Sequence, residues 1–350
     1  MTRDELRGKI QTVTGLIAPE DLGSTLMHEH ILCDITPPKL AASNVEDVDI
    51  TLENYFDIVY GTIPHKGKYK LVVPELLTQE IAQIREWGGK SIVELTCAGL
   101  KPMPEALAAM SAATGVQIIM GCGYYVHDYQ PTDPLSNGVY DKTADDIAQD
   151  IIGQVFHGAW GTGVRAGIIG EIGCQSPWTD HEKKVMQGAL MAQQETGAAI
   201  NVHPGRHVDQ PQEVADFLRA RGGDTSRVVI SHIDRTVFDD DRLLRLADSG
   251  VTLEFDLFGQ EMSYYPHSDI DMPNDAHRLQ MIRMLIDHGH LERVVISHDI
   301  CYCTRLTKFG GHGYGYIHRH ILPLMLRRGF SQDEIDTIME RNPARMLTFV

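Results

Sequence analysis

Short apolar segments rich in β-branched residues recur along the whole chain, and longer segments with amphipathic periodicity separate them. The apolar segments have the length and composition of strands and cover residues 25–35, 91–96, 116–125, 166–173, 198–204, 227–234, 251–259 and 293–300. The segments with helical periodicity cover approximately residues 75–88, 102–114, 143–158, 180–196, 209–221, 237–248, 275–288 and 317–328. Because continuously apolar strands alternate with helices eight times, the pattern predicts a parallel sheet that closes into a single (β/α)8 TIM barrel, an α/β fold.

A doubly wound open sheet is the competing architecture, but no GxGxxG segment follows the first predicted strand to support it. No linker or low-complexity segment divides the chain, so we expect one domain over residues 1–350. Residues 1–24 would lead into the barrel and residues 329–350 would form a closing helix, with Ser331 as its N-cap. The irregular stretches 34–74 and 124–142 are rich in Pro, Asp and Gly and are expected to form loops above the site.

Composition narrows the classes of partner. The chain has 31 Lys and Arg against 48 Asp and Glu, a formal net charge of −17, which argues against a nucleic-acid or anionic-membrane surface. No apolar stretch is long enough to span a bilayer, and the opening MTRDELRGKIQTV lacks the apolar segment of a signal peptide. The six cysteines form no CxxC pair, so we expect free thiols and a cytoplasmic location.

The candidate chemistry lies where the predicted strands end, because the active site of such a barrel forms at the carboxyl ends of its strands. Five of these ends carry side chains that bind metals: His28 and His30, Glu171, His203, His232 and Asp299. On a strand, His28 and His30 share one face while Glu29 points to the other. Any one of these residues alone is more commonly a hydrogen-bonded core histidine or a capping carboxylate. Their recurrence on five strands favours a metal site.

Six ligands exceed the three that a catalytic zinc usually needs, and therefore suggest two ions. Glu171 is the expected bridge. The other ligands divide into an enclosed set, His28, His30 and Asp299, and a more exposed set, His203 and His232. Two divalent ions, expected to be zinc, would share a hydroxide that attacks a carbonyl or phosphoryl centre. Asp299 would accept the proton and deliver it to the leaving group.

The order of several motifs resembles that of a known family. The motifs are HEH at 28–30, NVHPGR at 201–206, SHIDRT at 231–236, SHDI at 297–300 and RNPAR at 341–345. Together they resemble the phosphotriesterase family of the amidohydrolase superfamily. Further segments resemble its phosphotriesterase-related branch: GKIQTVTGLI at 8–17, GIIGEIGC at 167–174, LEFDLFGQE at 253–261, DIDMPND at 269–275 and TRLTKFGGHGY at 304–314.

The resemblance implies a binuclear zinc-type hydrolase on a (β/α)8 barrel, with its ligands at the positions already selected. The founding phosphotriesterases bridge their metals with a carboxylated lysine, whereas GIIGEIG offers Glu171 and no lysine. This departure argues against phosphotriester hydrolysis as the native role. The branch is linked to hydrolysis of N-acetyltaurine and related small N-acyl compounds, while other relatives open lactones or cleave carboxyl esters. The family also suggests a homodimer.

Loops after the metal-bearing strands should contact the substrate. Arg206, Arg235 and Arg305 could each clamp a carboxylate or sulfonate, although the first two could instead pair with Asp209 and Asp234. Possible pocket walls are Tyr125, Tyr264 and Tyr314. The segment GGHGYG at 310–315 could be a mobile lid or a tight structural turn.

Several other polar residues receive different interpretations. Asp234 is a candidate hydrogen-bond partner for a ligating histidine. His318 and His320 repeat the HxH spacing within a predicted helix, where residues two apart diverge, and are expected at the surface. Cys301 and Cys303 are not expected to bind metal, and Cys174 is expected to be a buried thiol.

These observations predict a metal-dependent hydrolase that acts on a small amide or ester carbonyl, with N-acetyltaurine-like compounds favoured. Phosphotriesterase, lactonase or carboxylesterase activity at the same site is the near alternative. A non-catalytic protein that binds a small ligand is the alternative from another class.

Overall fold

Eight parallel strands, each followed by a helix, form the body of the computed structural model, which describes residues 1–350. The strands are β1 (Thr25–Glu29), β2 (Ser91–Glu94), β3 (Gln117–Met120), β4 (Ile169–Gly173), β5 (Ile200–His203), β6 (Val228–Ile230), β7 (Thr252–Phe255) and β8 (Val294–Ile296). The helices are α1 (Pro74–Glu86), α2 (Pro104–Thr114), α3 (Ala144–Phe156), α4 (Asp180–Thr196), α5 (Gln210–Ala220), α6 (Asp240–Asp248), α7 (Asp275–Asp287) and α8, a π-helical turn at Ile317–Ile321 continued by Leu322–Arg327. The predicted alternation of strands and helices is confirmed.

Backbone hydrogen bonds join the strands into a closed barrel. Strands β1 to β3 pair in parallel in chain order, and so do β4 to β8. At one seam the Gly170 N–H donates to the Cys122 carbonyl at 2.7 Å. At the other seam the Asp299 N–H donates to the His28 carbonyl at 3.1 Å, and the His30 N–H to the Ile300 carbonyl at 3.2 Å. The fold is therefore the predicted barrel, and the open-sheet alternative is wrong.

The floor of the barrel is apolar. Side chains from the strands pack there with residues of the first and last segments of the chain: Ile10, Leu22, Met27, Val93, Leu95, Ile119, Ile168, Ala199, Val229, Val295, Met346 and Leu347. Arg227, just before β6, donates to the backbone carbonyls of Arg345 and Thr348 at 2.6 and 2.7 Å. The C-terminal segment therefore closes the amino-terminal end of the barrel and leaves the opposite end for the site.

The remaining elements are short. A hairpin pairs Ile10–Thr12 with Gly15–Ile17, and two further strands, Cys33–Asp34 and Lys70–Leu71, pair antiparallel. The additional helices are Arg3–Leu6, Pro38–Ala41, Tyr55–Tyr60, Gln332–Asp336 and Asn342–Leu347, the last two joined by a π-helical turn at Thr337–Arg341. The 3-10 turns are Pro19–Asp21, Gly67–Tyr69, His127–Thr132, Pro134–Ser136, Val139–Asp141, Thr225–Arg227, Ile233–Arg235, Leu291–Arg293, Cys303–Arg305 and Thr307–Phe309. None of the helices combines the length and apolar character needed to cross a bilayer.

Two local predictions meet different outcomes. Ser331 caps the C-terminal helix, since its hydroxyl accepts from the Glu334 N–H at 3.2 Å and the Glu334 carboxylate accepts from the Ser331 N–H at 2.7 Å. The surface position predicted for His318 is wrong. This side chain is buried and lies 2.9 Å from the Ser24 hydroxyl, whereas His320 is exposed. The wider π-helical turn at Ile317–Ile321 carries the His318 ring toward the sheet.

Candidate active site

Six side chains predicted as ligands converge at the carboxyl end of the barrel. Glu171, in the middle of β4, is central: its Oε1 lies 3.3 Å from His30 Nε2, and its Oε2 lies 2.9 Å from His203 Nδ1 and 3.4 Å from His232 Nε2. Asp299 Oδ1 lies 3.4 Å from His30 Nε2 and 3.8 Å from His28 Nε2. All six are buried or nearly so. The strand ends thus bring the residues together as the spacing predicts.

Hydrogen bonds behind three of the histidines fix which ring nitrogen faces the centre. His28 Nδ1 lies 2.9 Å from Glu254 Oε2, His232 Nδ1 lies 2.8 Å from Asp256 Oδ1, and His30 Nδ1 lies 3.0 Å from the Thr96 hydroxyl. A histidine that donates from Nδ1 presents a lone pair at Nε2. These three Nε2 atoms therefore point at Glu171 and Asp299 as potential ligands.

The donor set fits divalent metal ions. His28 Nε2 is buried and has no hydrogen-bond partner, and His203 Nδ1 faces His232 Nε2 at 3.0 Å. Lone pairs that face each other and carboxylate oxygens repel unless a cation lies between them, and imidazole with carboxylate ligands suits zinc-like ions. Compact triads of potential ligands include His28 with His30 and Asp299, and His28 with Glu171 and His232. The chain therefore has a cluster able to hold metal.

Electrostatics of the cluster agree with this interpretation. Burial raises the pKa of Glu171, yet the neighbouring His203 and His28 outweigh it and hold that pKa well below its usual range. Burial lowers the pKa of His28, but the carboxylates of Glu171 and Asp256 reverse the effect and raise it well above the usual value. Burial lowers the pKa of His203 to about 3, against the opposing influence of Glu171. The carboxylates thus create a field that attracts positive charge.

Two of the ligand residues adopt backbone conformations that non-glycine residues rarely take. His232 has φ of 55° and Asp299 has φ of 51°, both in the left-handed region. Such conformations cost about 1–3 kcal/mol each and persist where surrounding contacts impose them. The strand ends turn at these residues, which directs both side chains to the centre.

A cavity of about 430 Å³ opens above the cluster. All three predicted arginines line it: Arg206, Arg235 and Arg305. Arg206 is exposed and donates to the Tyr265 hydroxyl at 3.0 Å, while Arg235 is buried and donates to the Pro204 carbonyl at 3.1 Å. No acidic side chain pairs with either, because Asp209 binds Arg242 and Asp234 binds Arg278. The cavity is therefore cationic although the chain is acidic.

The three tyrosines predicted as pocket walls occupy different places. Tyr125 lines the cavity, and its hydroxyl lies 3.4 Å from His203 Nδ1. Tyr264 instead stacks on Tyr60 at 4.1 Å and borders a neighbouring cavity of about 200 Å³. Tyr314 is fully buried, and its hydroxyl donates to the His30 carbonyl at 2.7 Å. The pocket-wall prediction is wrong for Tyr314, which is enclosed in the core, whereas Tyr264 lines the adjoining cavity and not the one above the cluster.

Sequence reasoning predicted the strand β7 but missed the role of its acidic residues in the site. It identified Asp234 as a partner of a ligating histidine, but Asp234 forms a buried ion pair with Arg278 at 2.7 Å. Glu254 and Asp256 of the β7 region take that role for His28 and His232. The available signal was the i, i+2 spacing of two acidic residues within the apolar segment LEFDLF, which places both carboxylates on the face that points into the barrel.

The contacts of the remaining candidate residues are those of residues that stabilise the fold. All six cysteines are free and buried; Cys174 and Cys301 line the cavity. In the segment at 310–315, the Gly313 N–H donates to the Arg305 carbonyl at 2.8 Å. Gly310 and Gly313 have φ of 86° and 69°. These contacts, with the burial of Tyr314, favour the tight turn over the mobile lid.

Comparison with known proteins agrees with the site. The model of the phosphotriesterase family matches residues 8–347. The chain belongs to the phosphotriesterase family. It is 42% identical over 352 residues to an N-acetyltaurine hydrolase of Xenopus tropicalis, and the alignment covers 98% of this chain and 99% of that one. It is 38% identical over 353 residues to a phosphotriesterase-related protein of Nematostella vectensis, again with 98% of this chain and 99% of that one covered. A crystal structure of a resiniferatoxin-binding protein from Rhodobacter sphaeroides superposes with a TM-score of 0.90 at 34% identity, covering 98% of this chain and 96% of that one. The protein is therefore an enzyme of a hydrolase family whose site has residues able to bind metal.

Proposed function

We propose that this phosphotriesterase-family enzyme is a binuclear, zinc-dependent hydrolase of small N-acyl compounds that carry an anionic group, of which N-acetyltaurine is the favoured example. The observation that carries the proposal is one cavity in which the metal-binding cluster lies beneath Arg206, Arg235 and Arg305. The name of the Xenopus tropicalis relative supplies the favoured substrate.

The ligand assignment follows the geometry of the cluster. Glu171 lies between the two ligand sets: its Oε1 faces His30, and its Oε2 faces His203 and His232. His28, His30 and Asp299 would hold the enclosed ion, and His203 and His232 the exposed one. Such ions, when bound, acidify water and polarise a carbonyl oxygen.

The chain's own residues account for the remaining steps. Asp299 is close to the ligating histidines and borders the cavity, so its carboxylate can accept a proton from the attacking water and return it to the amine nitrogen as the C–N bond breaks. Tyr125, whose hydroxyl faces His203, borders the reacting centre.

The arginines explain the preference for an anionic substrate. Their guanidinium groups have donors in a fixed planar arrangement that matches a carboxylate or sulfonate. Arg305 also donates to the backbone carbonyls of His298 and Asp299, at 3.3 and 2.5 Å. One edge of the cavity is therefore bound directly to the segment after β8 that contains the proposed base. A short substrate would thus place its acyl carbon over the cluster while its anion contacts the arginines.

The first test is metal content and turnover of protein purified without chelators. We expect about two zinc ions per chain by mass spectrometry and hydrolysis of N-acetyltaurine faster than of lactones, aryl esters or phosphotriesters. If the protein contains zinc but hydrolyses lactones or esters faster than N-acetyltaurine, the proposed substrate class is wrong and the assignment as a zinc hydrolase stands. Protein that holds no metal and has no turnover, but binds small ligands, would favour the binding-protein alternative.

Asp299→Asn tests the proposed base. Since the amide cannot accept the proton, we expect kcat to fall by about 100-fold or more, while calorimetry with N-acetyltaurine still detects binding. Gln193→Ala, a change at a buried polar residue outside the cavity, serves as a control for general damage. Unchanged turnover in Asp299→Asn would contradict the assigned role.

A further inference from the structure

The residue between the two histidines of the first strand is a fully buried glutamate outside the ligand set. Glu29 Oε1 accepts hydrogen bonds from the Ser297 hydroxyl at 2.7 Å, from the His298 N–H at 2.9 Å and from His298 Nδ1 at 2.6 Å. Its Oε2 accepts from the Ile300 N–H at 2.9 Å. One carboxylate thus binds the segment after β8 at three positions, Ser297, His298 and Ile300, on both sides of Asp299.

This arrangement brackets the proposed base. The N–H groups on either side of Asp299 bind Glu29, while the N–H of Asp299 itself donates to the His28 carbonyl at 3.1 Å. Asp299 has φ of 51°, a conformation that needs external contacts to persist. Glu29 therefore binds the segment in which Asp299 adopts this conformation.

Only an ionised carboxylate satisfies these four donors. A glutamine in the same place would present an amide nitrogen, itself a donor, to at least one of the N–H groups. Ser297, His298 and Ile300 are all buried, so water cannot replace a lost acceptor. Two acceptor oxygens are therefore needed at this position.

We propose that Glu29 is a positioning residue that holds Asp299 in the orientation required to bind metal and to transfer the proton. The inference rests on the proposed function, because it assigns to Asp299 the roles given above. It also explains why the first strand has a glutamate between its two ligands: the histidines form one side of the site and the glutamate aligns the strand that completes it.

Glu29→Gln tests the inference through metal retention. Loss of a residue that orients a ligand typically costs 10–100-fold in metal affinity or activity. After loading with zinc and dialysis against a weak chelator, we expect the variant to retain less zinc per chain than the wild type does, because the zinc affinity of the site that contains Asp299 should fall about 10-fold. Circular dichroism and thermal unfolding would establish that the variant is folded.

A double-substitution cycle separates positioning from general damage. If Glu29 acts through Asp299, Glu29→Gln should lower kcat by about 10-fold or more in the wild-type background and have almost no further effect in Asp299→Asn, while the KM for N-acetyltaurine changes little. Losses in kcat that multiply independently would overturn the inference, as would a folded Glu29→Gln protein with normal metal retention and kcat.

The matched control is Glu80→Gln. Glu80 is also buried and binds the loop after β8, where it accepts from the Thr307 and Lys308 N–H groups at 3.0 and 2.9 Å, but it lies beyond Asp299. We expect this control to lower the unfolding temperature and to keep zinc retention. Equal zinc loss in Glu29→Gln and Glu80→Gln would overturn the inference.

Ser297→Ala provides a milder variant if Glu29→Gln does not fold. It removes one hydrogen bond to the carboxylate and keeps its charge, so we expect a smaller loss of zinc retention in the same direction. Unchanged retention in a folded Ser297→Ala protein would overturn the inference in that case. Wild-type protein that binds zinc but does not cleave N-acetyltaurine would reject the proposed substrate alone, since the zinc comparison remains valid.

Discussion

Side chains behind the rings orient three of the four candidate ligand histidines. Asp256 shows this most directly: its Oδ1 accepts from His232 Nδ1 at 2.8 Å, and its Oδ2 accepts from the His232 N–H at 2.9 Å. The two contacts hold both the ring and the left-handed backbone of His232. A carboxylate is needed because both partners are donors.

We therefore expect Asp256→Asn to weaken metal affinity by about 10–100-fold. The amide nitrogen would face one of the two His232 donors and displace the ring. Titration of the apoprotein with zinc against a competing chelator measures the effect. Asp133→Asn is the matched control, since Asp133 is a buried carboxylate that accepts from the Gly99 and Lys101 N–H groups at 2.7 and 3.0 Å, away from the ligands. If Asp256→Asn binds zinc as tightly as Asp133→Asn does, the assignment of Asp256 as the residue that orients His232 is wrong.

Arg206 is the arginine whose removal disturbs the fold least, because it is exposed and has no acidic partner. A hydrogen bond to a charged group contributes about 1.5–3 kcal/mol. Arg206→Ala should therefore raise the KM for N-acetyltaurine by roughly 10–100-fold and leave the KM for a neutral ester nearly unchanged. Steady-state kinetics with both substrates test this, with Arg219→Ala on the outer helix α5 as control. Equal changes for both substrates would exclude an anion contact.

Elements at opposite ends of the barrel have different tasks. Residues in or just after β1, β4, β5, β6 and β8 are the proposed ligands, while the amino-terminal end is closed by the apolar floor and the C-terminal segment. Met346 and Leu347 of the last helix insert into that floor. Stability and chemistry are therefore located at separate ends, as is usual for this architecture.

Met346→Ala should lower the free energy of unfolding by about 2–4 kcal/mol, because it leaves a cavity in the floor. Zinc content should not change, since Met346 lies at the end away from the ligands. Chemical denaturation and metal analysis measure the two quantities. Leu326→Ala, at a side chain that is 48% exposed, provides the control and should have little effect. A stable Met346→Ala protein would contradict the role of the C-terminal segment in closing the barrel.

At the scale of the whole molecule, the proposed metal site would connect strands that are far apart in the chain. The proposed ligands extend from residue 28 to residue 299 and include two carboxylates, the buried Glu171 and the half-buried Asp299. Ions that bind only the folded state stabilise it by an amount that grows with the logarithm of their affinity. A single chain in solution would bind them without help from the predicted homodimer, since each ligand comes from the same chain.

Removal of metal should therefore lower the unfolding temperature by about 5 °C or more. Differential scanning calorimetry before and after chelation measures the shift, and added zinc should restore it while magnesium should not, because histidine ligands favour zinc. The same samples give the molar mass in solution, which tests the homodimer. An unfolding temperature that is independent of complete chelation would contradict a site that spans the barrel.

The amino-acid sequence by itself determined the barrel and the six residues that meet at its carboxyl end. Both follow from periodicity: eight apolar segments alternate with helical ones, and the carboxyl ends of parallel strands meet at one face. HxH on a strand places both rings together for the same local reason. These features depend on residues close in the chain or on a repeated topology, so they could be predicted.

The tertiary structure alone decided which partners each side chain meets. Asp234 was expected beside a histidine but binds Arg278, a residue of a later helix, and Glu29 binds the segment after β8, more than 260 residues away. Tyr264 and Tyr314 leave the cavity because loop conformation, unlike strand periodicity, has no regular repeat in the sequence. Hydrogen bonds between distant segments depend on the closed barrel, which is why the local pattern identified the ligands but not the residues that orient them.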